Sequence, residues 1–344
     1  MNISLHTWAW ITWLAAGLVA LSATRNPLYI ALILLCLAVV IFTLSRRTET
    51  APPPMSPFKF GLIVVAMSAL FNTAISHFGQ TVLFYLPENI PIIGGPITAE
   101  ALVYGVINGL VLTGIFWVFT ALNQALPTRQ LIRLIPRAFY PLAVVTSIAI
   151  TFIPTTIRQQ KQIREAQAIR GNRMRGFGDW IPLIIPLLVG GLERAMQLAE
   201  AMTARGFAST SSQVNDTRQR VIMAAGLVTL LVGWLVRLNR DRILLGTTML
   251  IIGFVLIVVM LYSIGRQAPR TTYARQAWTF LDTLVVLGAL IVLGSFLLPI
   301  PWIDKSTLIY PVYPTLSYPT FDPLIGLAIL GLLIPAAVIH RASS

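Results

Sequence analysis

Eight stretches of this 344-residue chain stay apolar for close to twenty residues each, and that pattern limits what the chain can fold into. They fall at roughly 6–23, 27–45, 60–86, 101–122, 221–239, 243–264, 276–298 and 321–340. A membrane-crossing helix needs about 20 apolar residues. With 56% hydrophobic and only 11% charged residues, and a mean hydropathy of +0.78, no soluble core absorbs this much apolar side chain. The reading is an all-α polytopic membrane protein with about eight transmembrane helices. Further helices of the cytoplasmic side are inserted before the fifth. The first two runs are short and are joined by Ala23-Thr24-Arg25-Asn26-Pro27, a turn signal that predicts a helical hairpin.

The formal charge of +13 belongs to this membrane picture and not to nucleic-acid binding, because Lys and Arg concentrate in cytoplasmic loops. Between Arg129 and Arg220 there are thirteen Lys or Arg and five Asp or Glu. Arg46, Arg47 and Lys59 flank a Pro-rich linker, Ala51 to Pro57, and Arg266, Arg270 and Arg275 form another basic loop. The loop at 87–100 has no base but carries Glu88 and Glu100. A cytoplasmic N-terminus with eight spans leaves 20 of the 25 basic residues inside the cell. Arg237-Leu238-Asn239-Arg240-Asp241-Arg242 goes against this topology. The first run has no preceding Lys or Arg and no small-x-small cleavage signal, so it reads as a retained span of a multi-pass plasma-membrane protein. The single cysteine, Cys36, excludes an internal disulfide framework.

The region 123–220 breaks the pattern. Ala138 to Ile153 is apolar but short, with Pro141 inside it and Pro154 after it, and predicts a short tilted or interfacial helix. Thr155 to Gly171 is too polar to cross a membrane, yet its Gln, Arg, Lys, Glu and Ala favour helix. A loop at 172–179 leads into apolar Trp180 to Gly191. Leu192 to Gly206 predicts an amphipathic helix whose apolar stripe is Leu192, Ala195, Met196, Ala199 and Met202. Glu193, Arg194, Glu200 and Arg205 lie off that stripe, and a polar linker follows from Ser209 to Gln219.

Within this region one pattern occurs twice, 35 residues apart. Glu165-Ala166-Gln167-Ala168-Ile169-Arg170-Gly171 and Glu200-Ala201-Met202-Thr203-Ala204-Arg205-Gly206 both read E-A-x-x-x-R-G. The glycine suits the left-handed position just past a helix, and the arginine suits the negative end of the helix dipole. Small alanines keep the flank thin, so the projecting guanidinium can enter a groove that holds a carboxylate. A single copy is an ordinary basic helix end. Two copies point to docking of two similar partners.

The stretch from about 96 to 208 resembles the transmembrane T component of energy-coupling factor (ECF) importers, which include the cobalt-transport membrane proteins. The residues that carry the likeness begin with Gly95-Pro96-Ile97-Thr98, Glu100 and Gly105, then Phe152-Ile153-Pro154, and then Ala166-Gln167 with Arg170-Gly171. They continue with Ile185-Pro186-Leu187-Leu188 and run from Arg194-Ala195 through Leu198-Ala199-Glu200-Ala201-Met202 to Ala204-Arg205-Gly206-Phe207. Asn26-Pro27 also fits.

The resemblance implies that two Ala-Arg-Gly motifs end two cytoplasmic coupling helices, each seated in a groove of one ATP-binding-cassette ATPase subunit. Arg170 and Arg205 are then anchors, Gly171 and Gly206 let the backbone turn away, and Ala168 and Ala204 permit close approach. Glu165, Ala166, Gln167, Arg194, Glu200 and Ala201 support the coupling helices. The implied function is to pass ATPase motion to a separate substrate-binding membrane subunit that carries a vitamin or a cobalt or nickel ion. The first motif departs from the family in having Ile169 where alanine is usual.

The implied organisation is transmembrane helices at 1–122, a coupling-helix region at 123–217, a closing span at 218–239, and a C-terminal extension at 240–344 to which the resemblance gives no role. No G-x-x-x-x-G-K-[ST] phosphate loop is present, so ATP hydrolysis is assigned to the partners. The expected partners are two ATPase subunits, a substrate-binding membrane subunit and the lipid bilayer, with no nucleic acid, no cofactor, no catalytic residue and no metal site.

The remaining polar residues suggest less. Glu100 reads as structural, such as a helix cap, and Asp282 as interfacial. His6, His77 and His340 share no ligand spacing. Arg173 and Arg175 suit lipid headgroups or the ATPase surface. Tyr310, Tyr313 and Tyr318 read as an outer aromatic belt, and Met196 and Met202 as packing. The alternative is a stand-alone secondary transporter or channel, which would want charged or broken helices at the midplane and a span-level repeat; Asp282 alone speaks for it, and no such repeat is seen. An intramembrane enzyme would want a paired-acid or metal constellation, and the acids lie mostly in loops with three scattered histidines.

Overall fold

The structure, a computed structural model, describes residues 5–46, 56–76, 78–86, 94–132, 134, 139–171, 180–206, 216–238, 242–267, 277–314 and 316–341. The chain divides into two compact units, Met1–Gln130 with Tyr273–Ser344, and Leu131–Thr272. The described residues are almost entirely helical. The protein is an all-α polytopic membrane protein, with eight helices long and apolar enough to cross a bilayer among the described residues.

The first unit begins with α1 (Thr7–Ala23) and α2 (Pro27–Ser45), the predicted hairpin. Asn26 caps α2 by accepting from Leu28 N–H, and Pro27 sits at the first helical position, where a missing N–H costs nothing. Next comes α3 (Pro57–Ile75), which differs from the long run expected at 60–86. The helix stops at Ile75, Gly79 turns the chain with φ +116°, and Val82–Leu86 is a strand, β1. It pairs antiparallel with β2 (Gly95–Thr98), with a bulge between Val82 and Phe84. The aromatic and branched residues of Val82-Leu83-Phe84-Tyr85-Leu86 favour a strand over a continued helix.

Helix α4 (Ala99–Ala125) is capped by Thr98 and followed by the short α5 (Thr128–Ile132). Helices α3 and α4 touch through small residues. A Cβ on Gly109 would lie 2.7 Å from Val65 Cα, and Ser68 donates to the Gly105 carbonyl at 2.8 Å.

The C-terminal part of this unit packs on its N-terminal hairpin. It consists of α10 (Phe280–Leu297), a 3₁₀ turn at Lys305–Leu308, α11 (Pro323–Ile329), a 3₁₀ turn at Leu330–Leu333, and α12 (Ile334–Arg341). The last apolar run is therefore broken where one span was expected. Pro335 has no N–H to return to Gly331, and Ile334 N–H takes that carbonyl instead, tightening the turn. Asn26, 1% exposed, donates to the carbonyls of Thr307 (2.8 Å) and Thr320 (2.7 Å). Thr24 Oγ1 donates to the Leu308 carbonyl and Trp13 Nε1 to that of Leu332. Tyr29 accepts from Asp322 N–H and lies 3.0 Å from the Thr307 hydroxyl. Tyr29, Ile33, Leu37, Ile325, Ile329 and Leu332 form much of the core beneath these bonds.

The second unit contains α6 (Tyr140–Ile169), α7 (Ile181–Ala204), α8 (Asp216–Leu238) and α9 (Ile243–Gln267). Helices α8 and α9 form a close antiparallel hairpin. Gly226 and Gly233 on one helix meet Gly253 and Met249 on the other, with backbone approaches near 3 Å from any added Cβ. Residues 239–241 of the Arg237–Arg242 cluster lie outside the described residues, as do 51–55 of the Pro-rich linker and 209–215 of the polar linker.

The eight candidate spans are α2, α3, α4, α6, α7, α8, α9 and α10. Two of them, α6 and α7, come from the region read as non-spanning, because each joins an apolar half to a polar one in a single helix. The first and last expected spans are shorter helices.

Candidate functional site

The predicted break between the apolar stretch ending at Ile153 and the polar helix after it does not exist. Residues 140–169 are one helix running through Pro154. Likewise Trp180–Gly191 and Leu192–Gly206 are not separate elements, since α7 runs from Ile181 through Pro186 to Ala204. An internal proline removes one backbone bond and bends a helix, but need not end it. Each long helix therefore carries an apolar beginning and a repeat motif at its end.

The two ends have the same backbone. In α6, Arg170 is the C-cap, its N–H reaching the Ala166 carbonyl at 3.3 Å, and Gly171 N–H reaches Ala168 at 3.0 Å. In α7, Arg205 N–H reaches Ala201 at 3.3 Å and Gly206 N–H reaches Thr203 at 2.9 Å. Gly171 and Gly206 hold φ of +79° and +76°, the left-handed region where a Cβ is penalised. The arginines sit one position past the last helical residue, at the cap and not within the final turn.

Exposure is matched as well. Gln167 and Met202 are half-buried, and every other position from the glutamate to the arginine is exposed in both copies. Ile169 is 88% exposed. Among the described residues neither Arg170 nor Arg205 has a side-chain partner. Lys161 and Glu165 form an exposed i, i+4 pair at 3.9 Å, which contributes little.

Helices α6 and α7 run antiparallel where they meet. Gln167 Nε2 donates to the Pro182 carbonyl at 3.4 Å, and Arg194 donates to the Gln159 side chain. Gly190 makes room there, since a Cβ on it would collide with the Gln159 amide. The apolar stripe predicted for the end of α7 is not the packed face. Leu192 and Met196 are 64% and 56% exposed, whereas Leu183 is buried and Leu187, Arg194, Leu198 and Met202 are half-buried. Periodicity finds an apolar face but does not say which face another helix covers. Here a polar contact, Arg194 with Gln159, selects it. Because the pair is antiparallel, Arg170 and Arg205 lie towards opposite ends of it, with the 24 residues of α7 spanning about 36 Å.

The other singled-out residues are structural or lie elsewhere. Glu100 is fully buried in the first turn of α4, where it accepts from Gln80 N–H (3.4 Å) and Thr81 N–H (3.1 Å), while Thr98 is the actual cap. Asp282, in the first turn of α10, is 1% exposed. Its carboxylate completes a capping box with Thr279 and accepts His6 N–H at 2.6 Å. His6 caps α1. His77, Arg173, Arg175 and Phe207 lie outside the described residues. No cluster of three potential metal ligands occurs among the described residues. Tyr313 and Tyr318 are exposed, in a loop after α10. Sequence reasoning missed Gln159 and Gly190. A signal for Gln159 exists, because it stands at the same offset from its motif as Arg194 does from the second.

Known proteins resemble parts of this chain. A family model described as cobalt transport protein, CbiQ, matches residues 4–215. The energy-coupling factor transporter transmembrane protein EcfT of Leuconostoc gelidum is 37% identical over 87 residues, covering 24% of this chain and 31% of that protein. EcfT of Bacillus selenitireducens is 40% identical over 75 residues (20% and 28%), and EcfT of Lacticaseibacillus paracasei 35% over 108 residues (28% and 41%). The chain thus spans about a third of the length of these curated relatives.

Proposed function

The chain belongs to the cobalt transport protein family, and from that membership we propose that it is the membrane-embedded coupling and scaffold subunit of an ATP-driven micronutrient importer. The cargo is a vitamin or a cobalt or nickel ion, held by a separate substrate-binding membrane subunit. Two ATP-binding-cassette subunits dock on the two helix ends. This chain lies in the plasma membrane with its N-terminus in the cytoplasm and hydrolyses no ATP itself. Its coupling region is 123–217, and the name borne by its relatives, transmembrane protein of an energy-coupling factor transporter, supports the reading.

One observation carries it: two helix ends with the same sequence pattern, backbone bonds and exposure, each offering a guanidinium without a side-chain partner among the described residues, beside a left-handed glycine. Arg170 and Arg205 anchor in acidic grooves. Ala168 and Ala204, with Glu165, Ala166, Gln167, Glu200 and Ala201 behind them, keep the approach open, and Arg194 braces the helices. When the ATPases close on ATP, the docked ends shift relative to one another. The long helices carry that shift into the membrane, where the substrate subunit tilts and releases its cargo inward.

A photo-reactive residue at Ile169 or Ala204 tests this. Both positions should trap ATP-binding subunits in native membranes, and the same probe at exposed Val228 on α8 should not. Trapping no ATP-binding subunit at either end would contradict the proposal.

A further inference from the structure

We propose that Gln159 and Arg194 form the fulcrum of the coupling element, an inter-helix contact that holds both docking ends at equal reach. The inference rests on the docking reading of Arg170 and Arg205 and extends it to residues that touch no partner. Three observations converge on it. Arg194 donates to the Gln159 side chain between α6 and α7. Gly190 leaves the space that Gln159 fills, so helix shape and hydrogen bond agree on where the helices meet. The two partners are also equivalent positions of the 35-residue repeat, each standing eleven residues before the arginine of its own helix end.

That last relation has a mechanical meaning. Eleven residues of helix extend about 16 Å. Two antiparallel helices joined at equivalent points present two arms of the same length, pointing in opposite directions. A displacement of one docked end is then passed through the joint to the other arm with little change in size. An off-centre joint would scale the two movements differently. Among the described residues Arg194 Nε is buried at the joint without a hydrogen-bond partner. Sliding the helices past one another would strip a guanidinium of its acceptor, and this opposes slippage. Gln167, bonded to the Pro182 carbonyl, adds a second tie on one arm only. Gln159 and Arg194 are thus positioning residues.

The test is the distance between spin labels at Ile169→Cys and Ala204→Cys, in full-length protein in nanodiscs with Cys36→Ser. Both labelled positions are exposed, and Cys36 is buried. The wild-type pair should give one narrow distance. Arg194→Met and Gln159→Leu keep bulk but remove the bond, and should raise the share of splayed distances by about fivefold, the scale of a typical intramolecular hydrogen bond. The exchanged pair, Gln159→Arg with Arg194→Gln, should restore the narrow distance. Unchanged distances in both single variants, or no recovery on exchange, would overturn the inference. The docking reading is judged separately. If Arg170→Ala with Arg205→Ala loses the ATP-binding subunits while Arg194→Met leaves the distance unchanged, docking stands and the fulcrum falls.

Discussion

Gly171 and Gly206 place the two guanidiniums, because only a left-handed residue turns the chain off the helix immediately after the arginine. Nothing lies within 4 Å of a Cβ built on Gly171. Gly171→Ala therefore introduces no clash and costs only the backbone penalty, about 1–2 kcal/mol at the helix end. Thermal unfolding should barely move, while capture of ATP-binding subunits weakens. Ile169 separates the two otherwise matched ends. Exposed as it is, Ile169→Ala should leave stability unchanged. If its groove holds a matching apolar recess, the three lost carbons weaken that docking by about 2 kcal/mol, read as the affinity of the isolated ATPase. At the opposite extreme of burial is Asn26. Asn26→Ala strands the carbonyls of Thr307 and Thr320 and should cost about 3 kcal/mol, measured as a lower melting temperature in detergent.

The helices themselves were legible in sequence wherever composition was uniform. Apolar runs marked α2, α4, α8, α9 and α10, and the Asn26-Pro27 signal marked the first turn. Legibility failed where one helix changes character along its length. Apolar-to-polar transitions at Pro154 and near Leu192 look like boundaries, but backbone hydrogen bonding continues through both. It also failed at 76–98, where an apolar stretch becomes a strand after Gly79. The helix ends of the candidate site were readable because arginine followed by glycine reports local backbone chemistry. The face by which α7 meets α6 was not, since it depends on a partner eleven residues upstream in the other repeat. Glycines at Gly226, Gly233, Gly246 and Gly253, two per helix and seven apart, offered an unread signal for the α8–α9 hairpin. Gly253→Leu should overpack this contact, cost about 1–3 kcal/mol, and reduce cross-linking between cysteines placed on the two helices.

At the scale of the molecule, residues well outside the family match complete the first unit. The C-terminal helices supply acceptors for Trp13, Thr24 and Asn26, and α10 receives His6 through Asp282. Sequence gave no role to this extension because its contacts join residues about 280 to 320 positions apart. A chain ending after Gln267 should leave α1 and α2 poorly packed, which protease accessibility of the Thr24–Asn26 turn would reveal. The second unit carries the two helix ends on which the account depends. The most direct measurement is co-purification of the tagged full chain with its ATP-binding subunits, comparing wild type with Arg170→Ala, Arg205→Ala and both together. Removing a buried, paired guanidinium costs about 2–5 kcal/mol at each site. Each single variant should weaken retention, and the double variant should lose both subunits while still inserting in the membrane. A double variant that keeps its ATP-binding subunits as firmly as wild type would contradict it.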